Sequence, residues 1–495
     1  MYLPDLPWTL LLLLAPAAAA VAVQAAPSRG WANGLSIAGA AVSLAIIFVT
    51  ISQILALGTA PVPSAELNVD ALSGVLLLLL GVVGLAAVLY SVDYLGWEES
   101  PHALSLPRLR RYHSFLLLFL FTMFVVAEAN DLGLLWIAME GTTLVSAVLV
   151  GFYHNRRSIE ASWKYLVICS VGLVFALFGT LLLYLASGAV SGPSGATLEW
   201  TRLMQVAPKL DPGLVRLAIV FLFIGYGTKA GLAPMHTWLP DAHSESPTPV
   251  SAMLSAGLLK CAIFALVRVN AITSRMPGFT FTTWLFLGFG LLSVVLASLF
   301  ILVQRDLKRL LAYSSVEHIG IISIGIGFGG VLGLFGAFYH MINHAATKTL
   351  LFLTGGTLTI QAGTKDLEEI SGSLAAVPAT GGLLLLGVLA LAGVPPFSIF
   401  SSEFIILTAG FTGGFWWADV ILLFALAIVF GGLLLHLSRA LFGPKPRVGF
   451  TSGFRRYVAT AVAIGLLLPI VLGLGVWLPN PLSQLLHAAV VVGGG

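Results

Sequence analysis

The chain has 495 residues, of which 58% are hydrophobic and 9% are charged, and its formal net charge is +3. Soluble domains carry about 25% charged residues, so this composition excludes a soluble globular protein and indicates a polytopic membrane protein. The small net charge gives no reason to expect nucleic acid as a partner, and the lipid bilayer is the expected surrounding.

The first apolar stretch begins at Trp8 and lacks the positive residues that precede the core of a signal peptide, so it is interpreted as the first membrane helix. About 20 apolar residues are enough to cross a bilayer as a helix. The sequence contains fourteen such segments: 8–26, 35–58, 70–92, 113–127, 131–152, 165–188, 214–235, 248–270, 281–303, 309–328, 331–358, 379–408, 416–441 and 457–478. It therefore predicts an all-α polytopic membrane protein with about fourteen transmembrane helices.

The distribution of basic residues predicts the orientation of the chain. With the N-terminus placed outside, sixteen of the 24 Lys and Arg residues fall in inside loops, and five, among them Arg268, fall in outside loops and ends. Cytoplasmic loops carry such an excess of Lys and Arg. The sequence therefore predicts a multi-pass protein of the cell (inner) membrane with both termini on the outer, periplasmic side.

Two of the fourteen segments are interrupted by helix-breaking residues. The seventh contains Gly231 and Pro234, and the twelfth contains Pro395 and Pro396. Proline removes a backbone hydrogen bond and clashes with the preceding turn, so both helices should break near the middle of the membrane. Breaks at corresponding places in two halves of a chain are typical of transporters built from inverted repeats.

The spacing of the two breaks predicts the domain organisation. They lie five helices apart, which makes helices four to eight and helices nine to thirteen two inverted five-helix repeats. The predicted regions are the first three helices (1–112), the first repeat (113–272), the second repeat (273–442) and the last helix (443–495).

Five ionisable side chains lie inside segments that are otherwise typical of membrane helices. These five, which we call the relay residues, are Glu140, Lys229, Lys260, Lys348 and Glu403. A charge at the centre of a bilayer costs roughly 2.5–3.5 kcal/mol on insertion scales, so such residues face protein or water and usually have a function. A structural ion pair between helices would explain any single one, but five on five separate helices indicate a proton relay.

Lysine beside glutamate suits proton transfer, because an apolar site disfavours the lysine cation and a nearby carboxylate favours it again. At about 4 Å and an effective dielectric constant of ~20, the coupling is of order 4 kcal/mol. Glu140 and Lys229 are predicted to form such a pair. Lys260 and Lys348 would carry the proton along the membrane midplane, and Glu403 would end the line.

Imidazole titrates near neutral pH and both donates and accepts protons, so histidines suit the gaps between the lysines. The auxiliary proton-transfer candidates are His236, His243, Glu317, His318, His340 and His344. His236 and His243 could equally satisfy carbonyl groups of the broken helix. His340 and His344 could ligate a metal or haem, but no second histidine pair or carboxylate cluster completes such a site, so no metal is predicted.

The two cysteines give no sign of a redox centre. Cys169 and Cys261 lie in separate apolar segments without C-x-x-C spacing, which excludes an iron–sulfur cluster or a structural zinc site held by cysteines. No cofactor is therefore expected in this chain, and electron transfer, if it occurs, is expected elsewhere.

Three runs of the sequence carry a resemblance to a known family: TKAGLAPMHTWLPDAHSESPTPVSAMLSAGLLK (Thr228–Lys260), NHAATKTLLFLTGG (Asn343–Gly356) and GVPPFSIFSSEF (Gly393–Phe404). In these runs the chain resembles the antiporter-like proton-translocating subunits that are shared by respiratory complex I, Mrp-type sodium/proton antiporters and group 4 [NiFe]-hydrogenases. A fourth run, AYSSVEHIGI (Ala312–Ile321), is most similar to the hydrogenase-4 component F branch.

The resemblance implies the same relay. In that family a glutamate of helix five pairs with a lysine of helix seven, and these match Glu140 and Lys229. The lysines of helices eight and eleven match Lys260 and Lys348, and the terminal residue of helix twelve matches Glu403.

The resemblance also implies a function: a proton-translocating membrane subunit, without a catalytic centre of its own, of a hydrogenase-4-like or complex I-like redox complex. The implied partners are further antiporter-like subunits, small membrane subunits and a peripheral redox module that holds a [NiFe] centre and iron–sulfur clusters, or flavin. The alternatives are a subunit of an Mrp-type Na⁺/H⁺ antiporter, an autonomous secondary solute transporter and a structural helix bundle. The solute transporter fits poorly, because the polar residues are spread along the chain and not gathered around one pocket, and the five relay residues argue against a purely structural bundle.

Overall fold

The computed structural model describes residues 8–60, 62, 65–97, 104–192, 195–443 and 457–495, which form a bundle of α-helices with one short strand pair. The helices are α1 (Trp8–Gln24), α2 (Arg29–Leu57), α3 (Ala71–Trp97), α4 (Leu106–Glu128), α5 (Leu132–Val150), α6 (Arg156–Ser191), α7 (Trp200–Val206), α8 (Pro212–Ala230), α9 (Trp238–Glu245), α10 (Thr248–Met253), α11 (Leu259–Ser274), α12 (Phe281–Leu302), α13 (Leu307–Phe328), α14 (Gly330–Ala362), α15 (Ser373–Ala376), α16 (Pro378–Leu391), α17 (Ser398–Thr412), α18 (Trp416–Phe442), α19 (Val458–Gly473) and α20 (Asn480–Gly493). One π-helical turn, Leu254–Leu258, joins α10 to α11.

The bundle has two distinct ends. Strands β1 (Thr59–Ala60) and β2 (Val69–Asp70) pair antiparallel between α2 and α3. We call this end, where α4 and α11 also end, the hairpin end. The opposite end, where α9 ends and α13 begins, is the cleft end, because a polar cleft of about 340 Å³ opens there.

The all-α polytopic fold class is confirmed. Ten helical stretches of the described residues are long and apolar enough to cross a membrane, and α1, α16, α17 and α19 are shorter apolar helices. The count of fourteen transmembrane helices, the two inverted repeats and the boundaries between the four regions stay predictions.

Both interrupted segments are broken in the structure. Helix α8 ends at Ala230, and Gly231 follows in the left-handed conformation (φ 76°), so that the helix closes with a glycine cap. In the second segment, α16 ends at Leu391, Gly393 has φ 67°, and α17 begins at Ser398. The gaps turn the backbone of each segment away from a straight helix near the relay residues.

The C-terminal region contains one helix more than the sequence predicted. Helix α20 follows α19 and packs on the hairpin end, where Leu485 contacts Gly74 of α3 and the ring of His487 lies 4.8 Å from that of Phe335 of α14. The Asn270 side chain of α11 donates to the Gly493 carbonyl over 3.4 Å. This helix has 14 residues, which is too few for a membrane span, so the length of apolar runs does not predict it.

Small residues let α6 and α8 approach closely. A Cβ added to Gly172 would lie 2.8 Å from the Cβ of Thr228, and one added to Gly225 would lie 2.5 Å from the Cβ of Ala176. Small residues at helix contacts permit such close packing in membranes. The contact holds the end of α8, which carries Lys229, against α6.

A buried ion pair fixes the hairpin end. Arg268 of α11 donates to both carboxylate oxygens of Asp70, over 2.5 and 3.0 Å, and to Ser73 over 3.0 Å. Its guanidinium group lies 4.2 Å from the ring centre of Trp200. The sequence analysis placed Arg268 among the outside ends and loops, whereas the structure buries it to 1% exposure. Its partner, 198 residues away, has no signature in a local sequence pattern.

We expect Asp70→Asn to lower the thermal stability of the protein strongly. Removing one partner of a buried ion pair leaves the other charge without compensation, which costs about 3–5 kcal/mol. The measurement is the temperature at which the detergent-solubilised protein loses its monodisperse size-exclusion peak.

Glu199→Gln is the matched control, because it breaks the exposed Glu199–Arg202 pair at the N-terminus of α7. Surface pairs contribute about 0–1 kcal/mol, so this variant should melt close to wild type. Equal losses in the two variants would contradict a special role for the Asp70–Arg268 pair.

Candidate functional site

Lys229 lies in a cage of hydroxyl groups. Its side chain is fully buried at the end of α8, and Nζ donates to Thr143 Oγ1 of α5 (2.6 Å) and to Tyr165 OH of α6 (2.8 Å). The Tyr165 hydroxyl also bonds to Ser146 Oγ over 2.7 Å. We call Thr143, Ser146 and Tyr165 the hydroxyl cage. It satisfies the fully buried amine with neutral oxygen atoms, where an unsatisfied polar group would be costly.

Glu140 lies one turn before Thr143 on α5 and is partly exposed. Its Oε1 accepts from Ser170 Oγ of α6 over 2.7 Å, and its Oε2 has no hydrogen-bond partner among the described residues. Glu140 of α5 and Lys229 of α8 therefore both contact side chains of α6, but they form no direct ion pair with each other. The Glu140–Lys229 pair stays a prediction.

Lys260 sits directly after the π-helical turn. Its Nζ donates to the carbonyl oxygen of Ser255, within that turn, over 2.7 Å, and lies 2.6 Å from His344 Nδ1 of α14. Such turns often occur at functional sites. The sequence analysis did not predict the turn. It gives the buried amine of Lys260 a backbone acceptor on its own segment.

Three histidines form a continuous row beside Lys260. The rings of His344 and His318 lie 4.6 Å apart, and His318 Nδ1 lies 3.0 Å from His340 Nε2. His340 Nδ1 bonds to Ser402 Oγ over 2.9 Å, and this hydroxyl donates to the carbonyl of Ile399. The bonding pattern therefore puts the proton of neutral His340 on Nδ1 and leaves Nε2 to accept from His318. We call His344, His318 and His340 the histidine row.

Glu403 lies at the far end of this row. Its carboxylate comes within 4.8 Å of the side-chain nitrogen atoms of His318 and His340, and all three residues are buried. The carboxylate occupies space that the missing side chain of Gly393 leaves open, since a Cβ at that glycine would lie 2.4 Å from Oε2. The next residues of the break, Pro395 and Pro396, are exposed.

Lys348 lies beside the row and not within it. Its Nζ donates to the Leu311 carbonyl over 2.6 Å and to Ser314 Oγ, both on α13. Glu317, one turn further along α13, places Oε2 3.4 Å from Nε2 of His318. The residues between Lys260 and Glu403 in the structure are therefore histidines. The expectation that Lys260 and Lys348 carry the proton stays a prediction.

The remaining two histidines do not join the row. His243 is fully buried in α9, and its Nδ1 bonds to the Leu239 carbonyl of the same helix over 2.9 Å. His236 lies in the break after α8, 6.2 Å between ring centres from Tyr313. The His243 contact is the kind expected of a residue that satisfies a carbonyl of the broken helix. A role in proton transfer stays a prediction for both.

An ion-pair network lines the polar cleft at the cleft end, and the sequence analysis missed it. Asp241 pairs with Lys164 of α6 over 3.1 Å and with Arg309 of α13. Lys365 pairs with Glu245 over 2.8 Å and with Asp306 over 3.2 Å. Residues from α6, α9 and α13 and from the segment after α14 meet here. Their charges are scattered along the sequence, so only the fold assembles the cleft.

The fold and the row of buried acid–base groups are those of a polytopic membrane protein of the antiporter-like class. The family model described as NADH:quinone oxidoreductase/Mrp antiporter, TM, matches residues 129–431, a range that includes every relay residue. The chain belongs to this family.

Two relatives are similar over most of their length. A hydrogenase-4 component F homologue from Methylacidiphilum infernorum is 40% identical over 385 residues, which cover 78% of this chain and 80% of that protein. NADH-quinone oxidoreductase subunit N from Desulforudis audaxviator is 32% identical over 363 residues, which cover 72% and 69%. The resemblance to this family and to hydrogenase-4 component F is therefore confirmed.

A solved structure is similar over nearly the whole chain. It is a chain of the membrane-bound sulfane sulfur reductase, described as an archaeal respiratory membrane complex, with a TM-score of 0.86 and 25% identity. The match covers 98% of this chain and 97% of that chain.

We expect Gly393→Ala to displace the Glu403 carboxylate. The new Cβ would clash with Oε2, and the positive φ of this residue disfavours any side chain. A cryo-electron microscopy structure of the variant should show Glu403 in a different rotamer. Gly382→Ala on α16 is the control, because its Cβ would meet no atom within 4 Å, and an unmoved Glu403 in Gly393→Ala would contradict the expectation.

Proposed function

We propose that this chain translocates protons across the cell membrane as one membrane subunit of a redox-driven complex of the hydrogenase-4 or complex I kind. The observation that carries the proposal is the series of closely spaced, buried proton-carrying groups from Lys260, through the histidine row, to Glu403. A series of ionisable groups within a membrane protein is costly unless the groups have a function.

The geometry of this series supports transfer by short steps. The amine of Lys260 is within hydrogen-bond distance of His344, and the ring of His344 lies 4.6 Å from that of His318, tilted by 36°. Each neutral imidazole accepts a proton at one nitrogen and releases one at the other, so a proton that enters the row from one side leaves it from the other. The 3.0 Å contact between His318 and His340 is the central step, and Glu403 receives the proton at the end.

The hydroxyl cage supports a second, switchable element at Lys229. Tyr165 and Thr143 hold the amine through neutral oxygen atoms, and Glu140 is held separately by Ser170. A movement of α5 against α6 that brings Glu140 to Lys229 would favour the charged amine by about 4 kcal/mol at ~4 Å. Reversal of the movement would release the proton towards Lys260.

The energy for this cycle comes from partner subunits. The relatives named above are a hydrogenase-4 component, a subunit of NADH-quinone oxidoreductase and part of an archaeal respiratory complex. We therefore propose further antiporter-like and small membrane subunits as neighbours, and a peripheral module with a [NiFe] centre and iron–sulfur clusters, or with flavin. We also propose the inner membrane as the location, with both termini on the outer side.

Isolation of the complex in mild detergent tests the assignment. Nickel with iron–sulfur subunits would establish a hydrogenase-type pump, and iron–sulfur and flavin subunits without nickel would establish a complex I relative. Only membrane subunits and no redox metal would contradict the proposal and favour Na⁺/H⁺ exchange of the Mrp kind, which the family description also includes.

We expect Lys229→Ala and Glu140→Ala to leave the complex assembled and largely abolish proton translocation, because each removes one half of the switchable pair. Proton uptake by inverted membrane vesicles, measured with a pH-sensitive dye, is the readout, and subunit stoichiometry checks assembly. Wild-type pumping by an assembled Lys229→Ala complex would refute the role of the pair.

We expect His318→Gln to reduce the rate of proton translocation at least about tenfold, since glutamine cannot accept and release a proton as a general acid–base group does. His436→Gln is the matched control, because His436 is also buried but bonds to the Ile301 carbonyl, away from the row. If both variants pump equally well, protons do not pass through the histidine row.

A further inference from the structure

His318, His340 and Glu403 form a compact set of three metal-ligating side chains. They lie on α13, α14 and α17, and their ligand atoms all fall within 4.8 Å of one another. Two histidines and one carboxylate are a donor set typical of zinc sites. The sequence analysis considered His340 with His344 on one helix, but the structure pairs His340 with His318 on the neighbouring helix.

The spacing of the donors fits a small divalent cation. His318 Nδ1 and His340 Nε2 face each other at 3.0 Å. Two nitrogen atoms bound to one tetrahedral zinc ion at about 2.0–2.1 Å are separated by about 3.3 Å. A slight opening of the two rings would therefore admit the ion, and the Glu403 carboxylate, whose ligand atom already lies within 4.8 Å of those of the two histidines, would supply the third ligand.

The surroundings of His340 support it as a ligand. The Nδ1 atom of His340 is held by Ser402, the kind of outer contact that orients metal-bound histidines. In His318, the nitrogen that does not face His340, Nε2, lies 3.4 Å from Oε2 of Glu317. The ionisable groups that face the site from the packed helices are Lys260 of α11, Glu317 of α13, His344 and Lys348 of α14 and Glu403 of α17.

We propose that His318, His340 and Glu403 bind a zinc-class divalent cation in competition with protons, and that the bound ion blocks the histidine row. The ion takes the place of the proton between His318 and His340, because a nitrogen atom that binds a metal cannot also hold a proton. Binding of the ion is independent of the proposed function, whereas the block of transport rests on it.

Zinc bound to the purified complex tests the site. Wild-type complex is incubated with Zn²⁺, desalted, and analysed for zinc content and by X-ray absorption spectroscopy. We expect one additional zinc per complex relative to His340→Gln, with two imidazole nitrogens and a carboxylate oxygen at about 2.0–2.2 Å. His487→Gln on α20 is the matched control and should retain this zinc. Equal zinc content in wild type and His340→Gln would overturn the proposal.

Ser402→Ala keeps all three ligands, so it tests the site even if the His340→Gln complex fails to assemble. Loss of the outer contact to His340 should weaken zinc binding about 10- to 100-fold. Unchanged affinity in Ser402→Ala would overturn the proposed site.

Transport is measured separately on the same complex in vesicles. Zn²⁺ is expected to stop proton uptake, and chelation should restore it. Bound zinc without any effect on active proton uptake would overturn the proposed block. A complex that binds zinc at the site but never translocates protons would instead refute the proposed function and leave the metal site established.

Discussion

The cost of a charged or polar group in a medium without water governs this structure. Each of the three intramembrane lysines is fully buried, and each has short contacts to oxygen or nitrogen atoms of neighbouring helices. Lys229 uses hydroxyl groups of α5 and α6, Lys260 uses a carbonyl of its own π-helical turn, and Lys348 uses a carbonyl of α13. These contacts are made to neutral groups, which leaves the lysines free to respond to a carboxylate that approaches or withdraws.

The irregular backbone of the bundle follows from the same constraint. Non-helical backbone at membrane depth is tolerated only where it is buried in protein or lines a polar cavity. The break after Ala230 adjoins Lys229, the π-helical turn adjoins Lys260, and the break at Gly393 adjoins Glu403. The π-helical turn places a carbonyl oxygen beside Lys260, and the break at Gly393 leaves an open space beside Glu403. The glycine at position 393 does this most directly, because its missing side chain is the room that Glu403 occupies.

Most of the fold could be predicted from the sequence, because membrane spans are long apolar runs. The two helix breaks could also be predicted, because glycine and proline residues mark them. The relay residues stood out because charge is rare in such runs. What could not be predicted depends on distant partners: the pairing of His318 with His340, the Arg268–Asp70 pair and the network around Asp241 join residues far apart in the chain. The position of Lys348 beside the histidine row was equally hidden, since spacing along one helix does not tell which neighbour a side chain faces.

The ion pairs at the two ends of the bundle differ in their exposure to water. At the hairpin end, Arg268 and Asp70 are shielded from water, whereas the pairs of Asp241 and Lys365 at the cleft end border an open, polar cleft. Dissolved ions screen exposed charges over about 10 Å at 0.1 M but act little on buried pairs. Salt is therefore expected to weaken the ion pairs of the cleft end and to leave the Arg268–Asp70 pair of the hairpin end nearly unchanged. The ionic strength of the medium then acts on one end of the bundle much more than on the other.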